Sequence, residues 1–155
     1  MMESTKGNDM FKIFLALLSV LFFSSCGSKI PYPSEPHTTD TIYIYMNKEY
    51  ETLTDKYVAI ESNLSMLLRS SRKKVHLIDT PDKAGKDGVL VTIDSLSARG
   101  GVERHMSIYY TVTDNATKTK LRENKLEASS VLHGYGKLAS VITRRLSRAV
   151  VRITK

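Results

Sequence analysis

Four histidines, one cysteine and a group of neighbouring aspartates are the side chains of this 155-residue chain with the types needed for chemistry. Nucleophilic catalysis needs a Ser, Cys or Thr beside a basic His, and an exposed nucleophile elbow would read Gly-x-Ser-x-Gly. No such elbow occurs. His37, His76, His105 and His133 are too widely separated to share one helix turn or short loop, as zinc ligands do, and a single Cys leaves neither a cysteine-based zinc site nor a disulfide framework. Asp79, Asp82, Asp87 and Asp94 crowd one segment but lack the Asp-x-Asp-x-Asp-Gly register and closing Glu of a calcium loop, so turn chemistry accounts for them. Gly134-Tyr135-Gly136-Lys137 has neither the glycine spacing nor the Lys-Ser/Thr pair of a phosphate-cradling loop and reads as the start of a helix. The expectation is a protein without metal, cofactor or enzymatic activity. A competing hydrolase would need a cleft that gathers His105, His133 or the carboxylates between Asp79 and Asp94.

Charge carries more information. The chain has a formal net charge of +7, and after Glu127 it has no acidic residue, whereas Lys137, Arg144, Arg145, Arg148, Arg152 and Lys155 are all basic. Arg144, Arg148 and Arg152 recur every four residues and so form a stripe on a helix, which Lys137 and Lys155 extend. Two readings stand side by side. Lys137, Arg144, Arg148 and Arg152 form a face that binds a polyanion or a partner, or they form a solvated face that keeps a basic protein soluble.

The only cysteine, Cys26, follows the apolar run Ile13–Phe23, which Lys12 precedes and Ser24 and Ser25 close. A membrane span needs about 20 apolar residues, so the run has the proportions of a secretory signal, with Met10-Phe11-Lys12 as its cleanest basic start. Phe23-Ser24-Ser25-Cys26 resembles a bacterial lipobox, whose Cys is acylated on sulfur and becomes the N-terminus after cleavage. The resemblance implies a lipoprotein signal over 1–25 and a lipid attachment at Cys26; the alternative is ordinary signal cleavage with Cys26 a bystander thiol. Two or three acyl chains would hold the protein on a bilayer, where one chain barely does. Gly27 stands where the familiar Gram-negative retention signal has Asp, which favours the outer membrane. Cleavage removes Lys6, Lys12, Glu3 and Asp9 and leaves the net charge unchanged. In that compartment the abundant polyanions are lipopolysaccharide, anionic phospholipid and peptidoglycan, and nucleic acid is not an expected partner.

Three of the four prolines, Pro31, Pro33 and Pro36, fall in residues 26–40, which read as an extended tether. Residues 41–155 then form one domain. Ile42, Ile44 and Met46 alternate with Tyr43 and Tyr45 as in a half-buried strand. Leu53, Tyr57, Ile60, Leu64 and Leu67 draw a helical stripe over about 50–70. A short strand at 75–78, a polar loop over 79–88 and a strand at Val89, Val91 and Ile93 follow. Gly100-Gly101 reads as a hairpin turn in which both residues take positive φ. Met106, Ile108, Tyr110 and Val112 alternate beyond it, and a charged strand over 118–128 suits a sheet edge. Leu138, Val141, Ile142, Leu146, Ala149, Val150 and Ile153 make one face of a closing helix over 135–153. The expected fold is α+β, in the order β-α-β-β-β-β-α, with both helices on one face of a mixed or antiparallel sheet.

With Thr41-Ile42-Tyr43-Ile44-Tyr45, the Asp87-Gly88-Val89-Leu90-Val91-Thr92-Ile93 run and the closing amphipathic helix in place, residues 41–153 resemble the small outer-membrane envelope-assembly lipoproteins, the lipopolysaccharide-assembly lipoprotein among them. That resemblance implies a lipid-anchored, periplasm-facing domain that supports assembly or transport of an outer-membrane component through an envelope protein partner, with lipopolysaccharide or anionic lipid as a ligand. The alternative from another class is an accessory subunit of a secretion, pilus or conjugation machine.

Overall fold

The computed structural model describes residues 38–48 and 53–155. The signal, Cys26, most of the tether and the expected first residues of the first helix lie outside the described residues.

Alternation sets the sheet. Strand β1 (Thr41–Met46) buries Ile42, Ile44 and Met46 and leaves Thr41, Tyr43 and Tyr45 on the other side. Helix α1 (Thr54–Ser70) carries the chain back, so that β2 (Lys74–Ile78) can pair with β1 in parallel, a pairing that needs a crossover of this kind. A polar segment with one 3-10 turn, Pro81–Lys83, leads to β3 (Val89–Arg99), which lies on the other side of β1 and is also parallel to it. Two antiparallel steps follow, to β4 (Arg104–Asp114) and β5 (Lys120–Ser130), and helix α2 (Tyr135–Ile153) closes the domain. The sheet order is β2-β1-β3-β4-β5, with the charged β5 at an edge as its composition requires.

One face of this sheet is covered and the other is open. Ile42, Val91, Ile93, Ile108, Tyr110 and Val112 form a single core with Tyr57, Ile60, Leu64 and Leu68 of α1 and Leu138, Ile142, Leu146 and Val150 of α2. Each such Leu or Ile contributes about 1.5–3 kcal/mol by leaving water. The expected α+β fold with both helices on one face is therefore the observed one, and α2 spans the predicted residues.

Three differences have physical causes. Strand β3 runs six residues past Ile93, where the alternation is lost, because Asp94 is an extra residue in a β-bulge: Ile93 faces Tyr110 while Ser95 faces Tyr109. The inward set changes from Val89, Val91 and Ile93 to Leu96, so a strict two-residue rhythm stops short. The hairpin turn occupies 100–103, and of its two glycines only Gly101 has a positive φ, of 152°. Strand β5 starts at Lys120 rather than at Lys118, because Lys118 takes a left-handed φ of 58° in the turn.

Two polar clamps lock the layers together. The Lys73 ammonium donates to the Thr39 carbonyl (2.8 Å) and to the Thr154 carbonyl, and pairs with Asp40 (3.2 Å), so the start of β1 is tied to the end of α2. A cation is favoured there by the negative end of the helix dipole. Asn115, buried in the β4–β5 turn, donates its side-chain amide to the carbonyls of Ala84 (2.7 Å) and Gly85 (2.5 Å) and its backbone N–H to Gly88 (3.0 Å). Gly88 is required at that approach, since a Cβ would stand 2.8 Å from the Thr41 carbonyl and from the Tyr43 ring. Replacing Asn115→Ala strands two carbonyls and should lower stability by about 1–3 kcal/mol. Denaturant unfolding should show a lower midpoint at unchanged slope, with faster amide exchange near Gly88; an unchanged midpoint would mean that the loop holds itself.

Candidate functional site

Helix α2 separates its residues sharply by chemistry. Leu138, Ala139, Ile142, Leu146, Val150 and Ile153 are buried on the sheet side, and Thr143 stays buried by donating its hydroxyl to the Ala139 carbonyl (2.8 Å). Lys137, Arg144, Arg148 and Arg152 are all exposed on the other side. Arg144 to Arg152 spans eight residues, or about 12 Å of helix axis. Among the described residues none of the four side chains makes an ion pair or hydrogen bond, and α2 itself contains no carboxylate. Arg145 differs from them: its guanidinium donates to the Glu127 carbonyl (2.9 Å) and so ties α2 to β5. The predicted residues are thus brought together as one unpaired cationic strip. Guanidinium groups in this state offer forked donors to phosphate or carboxylate, and Lys137 adds a point charge.

The strip ends at a defined place. Thr154, next to Arg152, is joined through Lys73 to Thr39 and Asp40, so the cationic end of α2 lies beside the point where the preceding chain enters the domain.

The open face of the sheet carries a second polar surface. Cross-strand register sets Ser97 opposite Ser107, itself opposite Glu127, and sets Ser95 opposite Tyr109, itself opposite Lys125. Arg99 stands opposite His105 at the end of the same face. Together they line a shallow groove of about 440 Å³. Inside it Lys125 hydrogen-bonds to Glu127, which raises the lysine pKa and lowers that of the glutamate, and the ammonium also sits 5.5 Å from the centre of the Tyr109 ring. His105 Nε2 lies 3.3 Å from Glu103. Residue-by-residue reading missed this groove. Its signal is the polar half of the same alternation that reveals the core: Ser95, Ser97 and Arg99 on one strand, His105, Ser107 and Tyr109 on the next.

The other candidates are dispersed into separate local contacts. Asp79 pairs with Lys83 (2.7 Å), which holds its carboxyl below the usual range; Asp87 accepts from the Tyr43 hydroxyl (3.1 Å); Asp94 accepts from Thr111 (2.8 Å). Desolvation first, and Asp87 second, raises the Tyr43 phenol above its ordinary value. His76 stacks on Tyr43 with ring centres 5.3 Å apart, and His133 Nδ1 lies 3.0 Å from the Ser130 hydroxyl. Among the described residues no three His, Cys, Asp or Glu side chains converge as metal ligands, and none of the described helices is long and apolar enough to cross a membrane. Gly134 is the residue before the first turn of α2, its carbonyl accepting from the Lys137 N–H (3.1 Å), as a helix start requires.

No protein-family model matches the sequence, and no curated protein matches it. Solved structures do share the fold. PelC of Paraburkholderia phytofirmans, a dodecamer, aligns with a TM-score of 0.56 over 79% of this chain and 96% of its own, at 12% identity. A minor lipoprotein of Acinetobacter baumannii aligns with a TM-score of 0.51 over 74% of this chain and 92% of its own, at 9% identity. The domain therefore shares its fold with a bacterial lipoprotein and with PelC.

Proposed function

We propose that the chain is a non-enzymatic envelope lipoprotein, acylated at Cys26 and anchored in the outer membrane with its domain facing the periplasm, which supports assembly or transport of an outer-membrane component. The observation that carries this reading is the unpaired strip Lys137, Arg144, Arg148 and Arg152, whose Arg152 end lies beside Thr39, where the chain leading from the anchor enters the domain. A protein held at a bilayer through Cys26 would bring such a strip to anionic headgroups, where each arginine or lysine near the surface adds about 1 kcal/mol. Lipopolysaccharide and anionic phospholipid both offer the phosphates that guanidinium groups bind in a forked manner.

A second reading is that of an accessory subunit in a secretion, pilus or conjugation machine. It is favoured by the dodecameric state of PelC, which has the same fold, since multi-subunit machines employ repeated copies of small anchored domains.

Chemical crosslinking of cells that express the lipidated protein, followed by purification in detergent and mass spectrometry, separates the two readings. Recovery of an outer-membrane barrel protein with lipopolysaccharide supports envelope assembly; recovery of secretion or pilus components supports the second.

Two variants test the parts. Cys26→Ala should abolish the acyl mass and leave residues 1–25 attached, as intact-mass measurement reads directly, and full acylation of that variant would sink the lipobox. The triple variant Arg144→Glu, Arg148→Glu and Arg152→Glu should weaken binding of the detergent-solubilised full chain to lipopolysaccharide by at least about 100-fold, from the loss of about 3 kcal/mol. The wild-type binding should also fall with added salt. Equal binding by the triple variant, with its unfolding midpoint unchanged, would make the strip a solubility device.

A further inference from the structure

Seven large apolar or aromatic side chains are exposed among the described residues, and six of them fall into two groups on different parts of the domain. The first group is concave. Ser62 and Met66 of α1 lie four and eight residues on from Val58 along one helical stripe, next to the core stripe of Tyr57, Ile60, Leu64 and Leu68. Leu77 of the edge strand β2 shares its sheet face with the buried Val75, yet it stands half in solvent. These three, with Ser65 and Arg69, line a groove of about 460 Å³ between α1 and the open edge β2. A dry cavity of about 150 Å³ accepts a benzene ring, so the groove has room for several aliphatic groups.

The second group is convex. Strands β3 and β5 are each antiparallel to β4 and so end at the same end of the sheet. The turns that follow them present Val102 and Leu132, both 88% exposed, together with Val131. The turn after β5 is set in advance: the Ser130 hydroxyl accepts from the backbone N–H groups of Leu132 (3.2 Å) and His133 (3.0 Å). A fixed tip loses little freedom on docking. Charge favours the same pairing: on the groove Glu61 is held by Lys48 (3.4 Å) and Arg69 has no ion pair among the described residues, while at the tip Glu103 stands beside Val102.

We propose that the tip formed by Val102, Val131 and Leu132 of one copy seats in the Val58–Met66–Leu77 groove of a second copy. The inference stands on these residues alone and goes beyond the anchored-lipoprotein reading. A tip cannot bury itself against another tip, and a groove against a groove leaves a void. Tip in groove either repeats head to tail, each copy using its tip and its groove on different neighbours, or closes as a reciprocal pair that stops at two chains; a mass of several chains and a crosslinked ladder mark the head-to-tail contact proposed here. The seventh of these exposed side chains, Tyr109, lies on the open sheet face under Lys125.

The test uses the acylated full chain in detergent, with mass measured by light scattering and contacts trapped by a short, flexible thiol-specific crosslinker. Cys26 does not react where it is acylated as proposed above, and the wild type treated with the same crosslinker reads any product formed through Cys26. The wild type should have the mass of several chains, and Leu132→Asp and Met66→Asp should each fall to the mass of one chain while keeping the wild-type unfolding midpoint. Leu132→Cys alone and Met66→Cys alone should give no crosslink, their equal mixture should give a two-chain product joined through 132 and 66, and the double variant should give a ladder. A wild type that is already a single chain overturns the proposal, as would happen if lipid or the chain's own N-terminal segment covered the groove. Efficient self-crosslinking of Leu132→Cys overturns it in favour of tip-to-tip pairing. Loss of the ladder with acylation and lipopolysaccharide binding intact would remove the self-contact and leave the anchored-lipoprotein reading standing.

Discussion

A single inserted residue, Asp94, controls how much sheet the two helices can cover. Strand β3 is the middle strand, pairing with β1 on one side and β4 on the other, and residues before the bulge face the core with odd numbers while those after it face the core with even ones. Were Asp94 paired as a regular strand residue instead of bulged out, Leu96 would point to the open face and Ser95 and Ser97 would point into the core, at the cost of burying hydroxyl groups among apolar side chains. The bulge is held from both sides. Thr111 donates to the Asp94 carboxylate (2.8 Å), and Asn47, just past β1, donates its backbone N–H to the Ile93 carbonyl (2.9 Å). Bulges also increase local twist, and the shallow groove of the open face begins at Ser95, directly after this one. One core-preserving device thus creates both the continuous apolar layer and the serine-lined surface behind it.

Helix α2 was legible to the residue because its two faces differ by type: apolar residues recur with the helical period, and the intervening positions are Lys, Arg or small. The order of elements was legible for a similar reason, since β1, β3 and β4 each carry at least three alternating apolar residues, while the short β2 and the charged β5 follow from their place between loop and turn signals. Legibility ended where one residue type serves two purposes. In α1 the stripe through Val58 and Met66 looks like a broader core face, and only the sheet's width, with β2 as its last strand, decides that this stripe has nothing to cover. The open-face groove was invisible for the opposite reason. Ser, His and Tyr at alternate positions describe any solvated sheet face, and the register that stacks Ser97 on Ser107 is a tertiary fact. The cationic residues share a helical stripe that the sequence spacing shows, but their freedom from carboxylates on other elements could be read only after α2 was placed against β4 and β5.

The domain has two dissimilar ends. Helix α2 begins beside the tip, after the turn that carries Leu132, and ends at Thr154, which Lys73 ties to Thr39 and Asp40. Lys73 therefore does more than satisfy a helix terminus: it fixes the cationic end of α2 to the place where the chain enters the domain. Its side chain is largely buried while Asp40 is exposed, so the pairing is modest as an ion pair and stronger as a set of donors to two carbonyls that would otherwise lose water.

This polarity limits how copies of the domain can be arranged if all are tethered to one bilayer. A head-to-tail contact repeated around a closed ring uses rotation about one axis only, and rotation about an axis never reverses direction along it. Every copy in such a ring presents its entry point at the same height, on the same side, with its Arg152 end beside it. An arrangement with dihedral symmetry would turn half of the copies over and point their entry points away from the membrane. The groove along α1 and β2 and the tip beyond β3 and β5 belong to different surfaces of the domain, so their contact does not impose the two-fold axis that a self-complementary patch would. The chemistry at the entry end and the shape of the tip and groove are thus compatible with one geometry: a single-sided array in which the cationic strips converge on one anionic surface.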